Sequence, residues 1–116
     1  MAELDNNIEQ EGNIINFEGI SFMVFDHLDS LNVDEAEPYN AVIINGKDES
    51  FIRQLVRRIR AHKRPHIYLK PVFLLKGINI IDPLVNQLID GSLYSLEQIP
   101  FIKKEVERIL TRNSQI

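Results

Sequence analysis

A chain of 116 residues with 44% apolar and 26% charged residues has the size and balance of one globular domain, large enough to bury a core without staples. It holds no cysteine, which removes disulfides and thiolate metal ligands and fits the cytoplasm, and no apolar run approaches the ~20 residues of a membrane span. The net charge of −4 divides unevenly. Residues 1–50 carry twelve acids and one lysine, and residues 51–116 carry twelve bases and five acids. Either the halves face each other or water, or the second half offers a basic patch to an acidic partner.

Residues 1–12 are acidic and poor in apolar groups, so they read as a mobile lead, and Met1 to Asp5 does not read as a signal peptide. The domain then runs from 13 to 116. Asn13–Phe17 and Ile20–Phe25 are β-prone runs around Glu18-Gly19, which predicts a hairpin. Asp26 to Glu37 is polar with Leu28, Leu31, Val33 and Ala36 interspersed, at most a short helix capped by Asp29 or Ser30 and closed by Pro38.

Ala41–Ile44 is a continuous apolar run, the pattern of a strand covered on both faces of a parallel sheet. Asp48 or Ser50 caps the next helix, in which Phe51, Ile52, Leu55, Val56 and Ile59 recur at helical spacing. Pro65 ends the following linker, and His66–Leu69 reads as a strand that ends at Lys70-Pro71. Val72–Leu75 is apolar, and Gly77 breaks the pattern. Asp82-Pro83 starts another helix with the stripe Leu84, Val85, Leu88 and Ile89, and Asp90-Gly91 ends it. Ser92–Ser95 is a last short strand, and Pro100 opens a final helix with Phe101, Ile102, Val106, Ile109 and Leu110 inward. Alternating strands and helices argue for an α/β fold with a mostly parallel sheet in three layers.

From Val24 onward the chain resembles the response-regulator receiver domain. Glu37–Asn45 resembles the family's acids, Pro-Tyr-Asp, four apolar residues and phosphoacceptor. Leu55–Arg60 resembles its third helix, Arg64–Leu69 the proline and strand after it, and Leu88–Leu93 the passage into its fifth strand. The resemblance implies a flavodoxin-like sheet, truncated at its first strand–helix unit, with Phe22–Phe25 as the family's second strand and an added N-terminal hairpin. The departures are chemical. Asn45 stands where the family has its aspartate, Lys70 where it has Thr or Ser, and Ser95 where it has Lys. Asp26 lacks an acidic neighbour, since His27 follows it. An amide forms no acyl phosphate, and without an acid pair Mg²⁺ loses its oxygen ligands, so phosphoryl transfer loses its positioning and charge stabilisation.

The degenerate pocket therefore comprises Asn45, Lys70, Ser95 and Asp26, with neither metal nor cofactor. Lys70 reads either as a fixed cation filling that pocket at the carboxyl edge or as a lysine snorkelling at a strand end. Asn45-Gly46 reads equally as a relic site or a tight turn. His27, His62 and His66 lack metal-ligand spacing, and no serine has a nucleophile-elbow context. Nucleic-acid binding is disfavoured: the seven bases between Arg53 and Lys70 have no interleaved aromatics.

By resemblance, such a domain is a non-catalytic, unphosphorylated interaction module of a bacterial two-component protein, joined to an output domain or dimerising. It would signal through Leu84, Val85, Tyr94, Phe101 and Lys104. Loss of the first helix would leave the sheet face beside the last helix bare and apolar, ready for a partner. The rival readings are a small α/β ligand-binding protein or enzyme using the sheet edge at Asn45, Lys70 and Ser95, and a standalone dimeric adaptor.

Overall fold

Glu18 and Gly19 take φ of 47° and 86° and close the two-residue turn between β3 (Ile14–Phe17) and β4 (Ile20–Phe25). Positive φ at both turn residues matches the right-handed twist of the strands they join, and glycine adopts it without steric cost. The protein is seen in a computed structural model that describes residues 2–4, 7–26, 32–46, 48–75 and 82–115. His27, and the cap expected at Asp29 or Ser30, lie outside the described residues.

A single seven-stranded sheet runs in chain order, β1 to β7. β1 (Ala2–Leu4), β2 (Ile8–Glu11), β3 and β4 pair antiparallel; β4, β5 (Ala41–Ile44), β6 (Val72–Leu75) and β7 (Gly91–Leu93) pair parallel. The lead expected at 1–12 thus contributes two strands. Their signal was weak because β2 brings one fully buried side chain, Ile8, among polar ones.

Among the described residues, four helices and two 3₁₀ turns connect and cover the strands. Val33–Ala36 is a 3₁₀ turn capped by Asn32, whose side chain accepts from the Asp34 backbone N–H at 3.2 Å. α1 (Glu49–Arg60) is capped by Asp48, which accepts from the Ser50 backbone N–H at 2.8 Å. α2 is the short Pro65–Tyr68, α3 is Pro83–Gln87 with Asp82 as cap, and α4 is Ile99–Asn113 after the 3₁₀ turn Leu96–Gln98.

Sequential parallel strands joined by crossovers of one hand place those crossovers on one face. Val33, Ala36, the inward side of α1, Ile67 and Val85 accordingly form one core with Met23, Phe25, Val42, Ile44, Val72 and Leu74. α4 takes the other face, where Ile99 and Val106 pack with Ile8, Ile15, Phe22, Val24, Ile43 and Phe73. This gives three layers, α/β/α.

The bare face expected beside the last helix is absent. Ile99 and Val106 of α4 pack into it, with Ile102 and Leu110 against them, and Ile15 and Phe22 are fully buried. Lys103 on α4 reaches the hairpin turn and donates to Glu18 at 2.8 Å, with its amine 6.0 Å from the centre of the Phe17 ring.

Candidate functional site

The carboxyl edge of the parallel strands is where the sequence placed its site. Asn45 directly follows β5, and its backbone N–H donates to the Phe25 carbonyl at 2.8 Å, so Asp26 and Asn45 leave adjacent strands side by side. Asn45 is half-buried and Asp26 exposed. Ser95 follows β7, two strands further along, and is exposed. The backbone of Gly46 is roofed by α1: a Cβ there would come within 2.6 Å of the Phe51 ring. Aromatic packing, rather than an open cradle, therefore fills the space behind Asn45. Connections from β4, β5 and β6 leave on the same face, so Asn45 does not sit at a point where neighbouring connections diverge, where open α/β sheets form their ligand crevice.

Lys70 belongs to the opposite end of the sheet. His66–Leu69 is not a strand: Pro65 occupies the first position of α2, which His66 to Tyr68 complete, and β6 begins only at Val72. Proline at a helix start has its φ already set and no N–H to leave unpaired. Lys70 thus precedes its strand and stands at the amino edge, a sheet length from Asn45. No fixed cation fills a relic phosphate pocket from this residue.

At the amino edge Lys70 is only 6% exposed, and its amine donates to the backbone carbonyls of Glu37, at 3.3 Å, and Tyr39. Burial pushes its pKa down to about 8, against an opposing pull from the Glu37 charge. Beside it opens a cavity of about 540 Å³ between the loop before β5, α2 and the end of α4.

Of the other bases in the Arg53–Lys70 stretch, Arg60 turns inward. Arg53 lies 3.6 Å from Glu49 and 3.5 Å from Asp82, and Arg64 lies 2.6 Å from Glu37. That leaves Arg57, Arg58 and Lys63 as exposed cations with no ion pair among the described residues. His62 is a local cap: its Nδ1 accepts from the Arg64 N–H at 3.1 Å, so its Nε2 donates to Asp34, at 2.5 Å. His66 is exposed on α2. Among the described residues, no group of three or more His, Asp or Glu side chains could hold a metal, and no helix is long and apolar enough to cross a membrane.

The expected contact face divides. Leu84, Tyr94 and Phe101 are 63%, 78% and 82% exposed, the large apolar side chains most open to solvent among the described residues, and Lys104 is exposed beside them in sequence. Val85 is fully buried in the core beneath α1. Adjacent helical positions point about 100° apart, so on a five-residue helix only one of Leu84 and Val85 can face inward.

Arg60 and Asn113 were not singled out in the sequence. Arg60 sits in a run of arginines on α1, and Asn113 in a polar C-terminus, so neither has a local signal. Comparison with protein-family models, curated proteins and solved structures finds no match for the chain.

Proposed function

We propose that this chain is a non-catalytic, receiver-like interaction module of a bacterial signalling protein, working by contact rather than by phosphoryl transfer. The observation that carries the reading is the border formed by β7. Leu84 lies on the helix before this strand, Tyr94 directly after it and Phe101 at the start of the helix after that, all three open to solvent. Isolated exposed apolar residues are ordinary, but three large ones flanking one edge strand make the apolar centre of a contact patch. Among the described residues β7 ends the sheet, which offers its outer N–H and C=O groups to an added strand. Lys104 supplies a charged rim.

Support for a receiver-like origin comes from the parallel block β4–β7 with Asn45 at the tip of a buried strand, and from the final helix returning across the other face. Sequential strand order is what a wound sheet would keep after losing its first strand–helix unit. Against a working phosphoryl switch stand the amide at Asn45, the Phe51 ring over Gly46 and the position of Lys70 at the far edge.

Light scattering coupled to size exclusion, run on the wild type and on Tyr94→Ser/Phe101→Glu, tests the contact role. The expected result is a concentration-dependent dimer that the double substitution abolishes. A strict monomer that also gains no affinity for a covalently linked or co-expressed output domain through β7 would remove the reading.

A further inference from the structure

We propose that Asn45-Gly46 is a modification site: the chain deamidates itself there, replacing the Asn45 carboxamide by a carboxylate beside Asp26. The reaction needs a side-chain amide next to a backbone nitrogen that is unbonded and uncrowded. The pairing of β5 with β6 ends at Ile44 and Leu74, and Gly46 lies beyond it. Gly46 is buried, yet its N–H makes no hydrogen bond to a described residue, whereas buried N–H groups are nearly always paired. The Asn45 backbone N–H is held by the Phe25 carbonyl at 2.8 Å. Its side chain has no partner among the described residues, and its amide atoms reach solvent.

Base removes the proton from the Gly46 nitrogen, which attacks Asn45 Cγ. The new N–Cγ bond closes a succinimide as the Cγ–Nδ2 bond breaks and ammonia leaves. Water then adds to the ring. Opening at Cγ gives aspartate. Opening at the Asn45 backbone carbonyl gives isoaspartate, with an extra methylene in the backbone between β5 and α1. A side chain at position 46 would crowd the attacking nitrogen and slow the closure. The fold selects against one, because a Cβ there would meet the Phe51 ring at 2.6 Å. Packing thus keeps in place the residue that makes the amide labile. Elsewhere the same chemistry is hindered. Asn40 Oδ1 accepts from the Ser21 N–H at 2.9 Å, Asn113 Nδ2 donates to the Leu69 carbonyl at 2.7 Å, and both are followed by residues with side chains. Asp90-Gly91 has the matching glycine, but its carboxylate is bonded to Arg60 at 3.1 Å and to the Val72 N–H at 2.8 Å, and Gly91 belongs to β7. The site at Asn45 does not rest on the contact role of the β7 border.

Incubation of the folded protein at pH 7 and pH 9, followed by proteolysis and tandem mass spectrometry, is the test. Asn45 should gain the mass that replaces NH₂ by OH, faster than every other asparagine and at a rate that rises with hydroxide. Both aspartate and isoaspartate should appear there. Asp90 should stay unchanged in the fold and isomerise in urea, where Arg60 and Val72 release it. An acidic peak should grow on ion exchange with the wild type and not with Asn45→Gln, whose longer side chain must close a larger ring. Deamidation at Asn45 in urea but not in the fold overturns the proposal. So does a folded chain in which another asparagine reacts as fast, or equal acidification of the wild type and Asn45→Gln. Isomerisation of Asp90 as rapid in the fold as in urea would remove the argument that bonding protects such pairs, and the proposal with it.

Discussion

Arg60 and Asp90 meet at 3.1 Å at the amino edge of the parallel sheet, and between them they bond to four residues, Tyr68, Lys70, Val72 and Leu88. Arg60 Nε donates to the Leu88 carbonyl at 2.9 Å, and its Nη1 donates to both the Tyr68 and Lys70 carbonyls at 2.9 and 2.7 Å. Asp90 accepts from the Val72 N–H at 2.8 Å while its own N–H donates to the Val72 carbonyl at 2.7 Å. Desolvation by burial pushes the Arg60 pKa down and the Asp90 carboxylate opposes it. The planar guanidinium suits this task, since its donors point in fixed directions at separate acceptors. One side chain thus ties the end of α1 to the turn before β6 and to the loop between α3 and β7.

Removing either partner should cost about 2–4 kcal/mol of unfolding free energy, because buried carbonyls or a carboxylate lose their donors. Urea unfolding of Arg60→Met, Asp90→Ala and the double variant checks this. The double variant should lose much less than the sum of the singles. Additive losses would mean that the pair does not act as a unit.

The Lys70 amine gives stability a pH signature. Its pKa is about 8 in the fold and about 10.4 in an unfolded chain, so between these values the unfolded state binds more protons. Stability then rises with pH across that window, with a slope of at most about 1.4 kcal/mol per pH unit from this one group. Below pH 8 both states are protonated and the contribution is flat. Denaturant midpoints between pH 7 and 10 should show the rise in wild type and lose it in Lys70→Met. An identical slope in the variant would assign the effect elsewhere.

Gly46→Ala should destabilise by about 1–3 kcal/mol, the usual cost of overpacking, since its Cβ would meet the Phe51 ring at 2.6 Å and Ile52 Cγ1 at 3.2 Å. Thermal unfolding measures it, and Phe51→Leu in the same chain should recover part of the loss. A neutral Gly46→Ala would show that the space behind Asn45 is open after all.

Acetyl phosphate with Mg²⁺ should leave the mass of the protein unchanged, and so should beryllofluoride added before native mass spectrometry. Introducing an acid with Asn45→Asp should not create an acceptor, because Lys70 cannot reach that edge and Asp26 has no acidic neighbour in sequence. A phosphoryl adduct on the wild type or on Asn45→Asp would overturn the non-catalytic reading.

At the β7 border, Phe101→Glu and Tyr94→Ser should each shift unfolding free energy by no more than about 0.5 kcal/mol, as exposed positions do. Self-association or partner affinity should fall by about tenfold or more, the loss of an apolar anchor. A large loss of stability with unchanged association would make these residues part of the fold.

Local chemistry alone determined much of the chain. Asp48 before α1 and Asp82-Pro83 before α3 mark helix starts through bonds that span two residues, and Glu18-Gly19 marks the hairpin through its own φ preference. The run Ala41–Ile44 announced a strand buried on both sides. Partners distant in sequence decided the rest. Ile8 anchors β2 by joining the core on the α4 face, and Pro65 starts a helix where an apolar run suggested a strand, which moves Lys70 to the other end of the sheet. Lys70 and Asn113 share a cavity, and Arg60 finds its carbonyls, because strand order and the return of α4 bring those groups together. A propensity or a cap acts within a turn of chain and is written there; which edge a side chain occupies and what it meets are fixed only when the layers close.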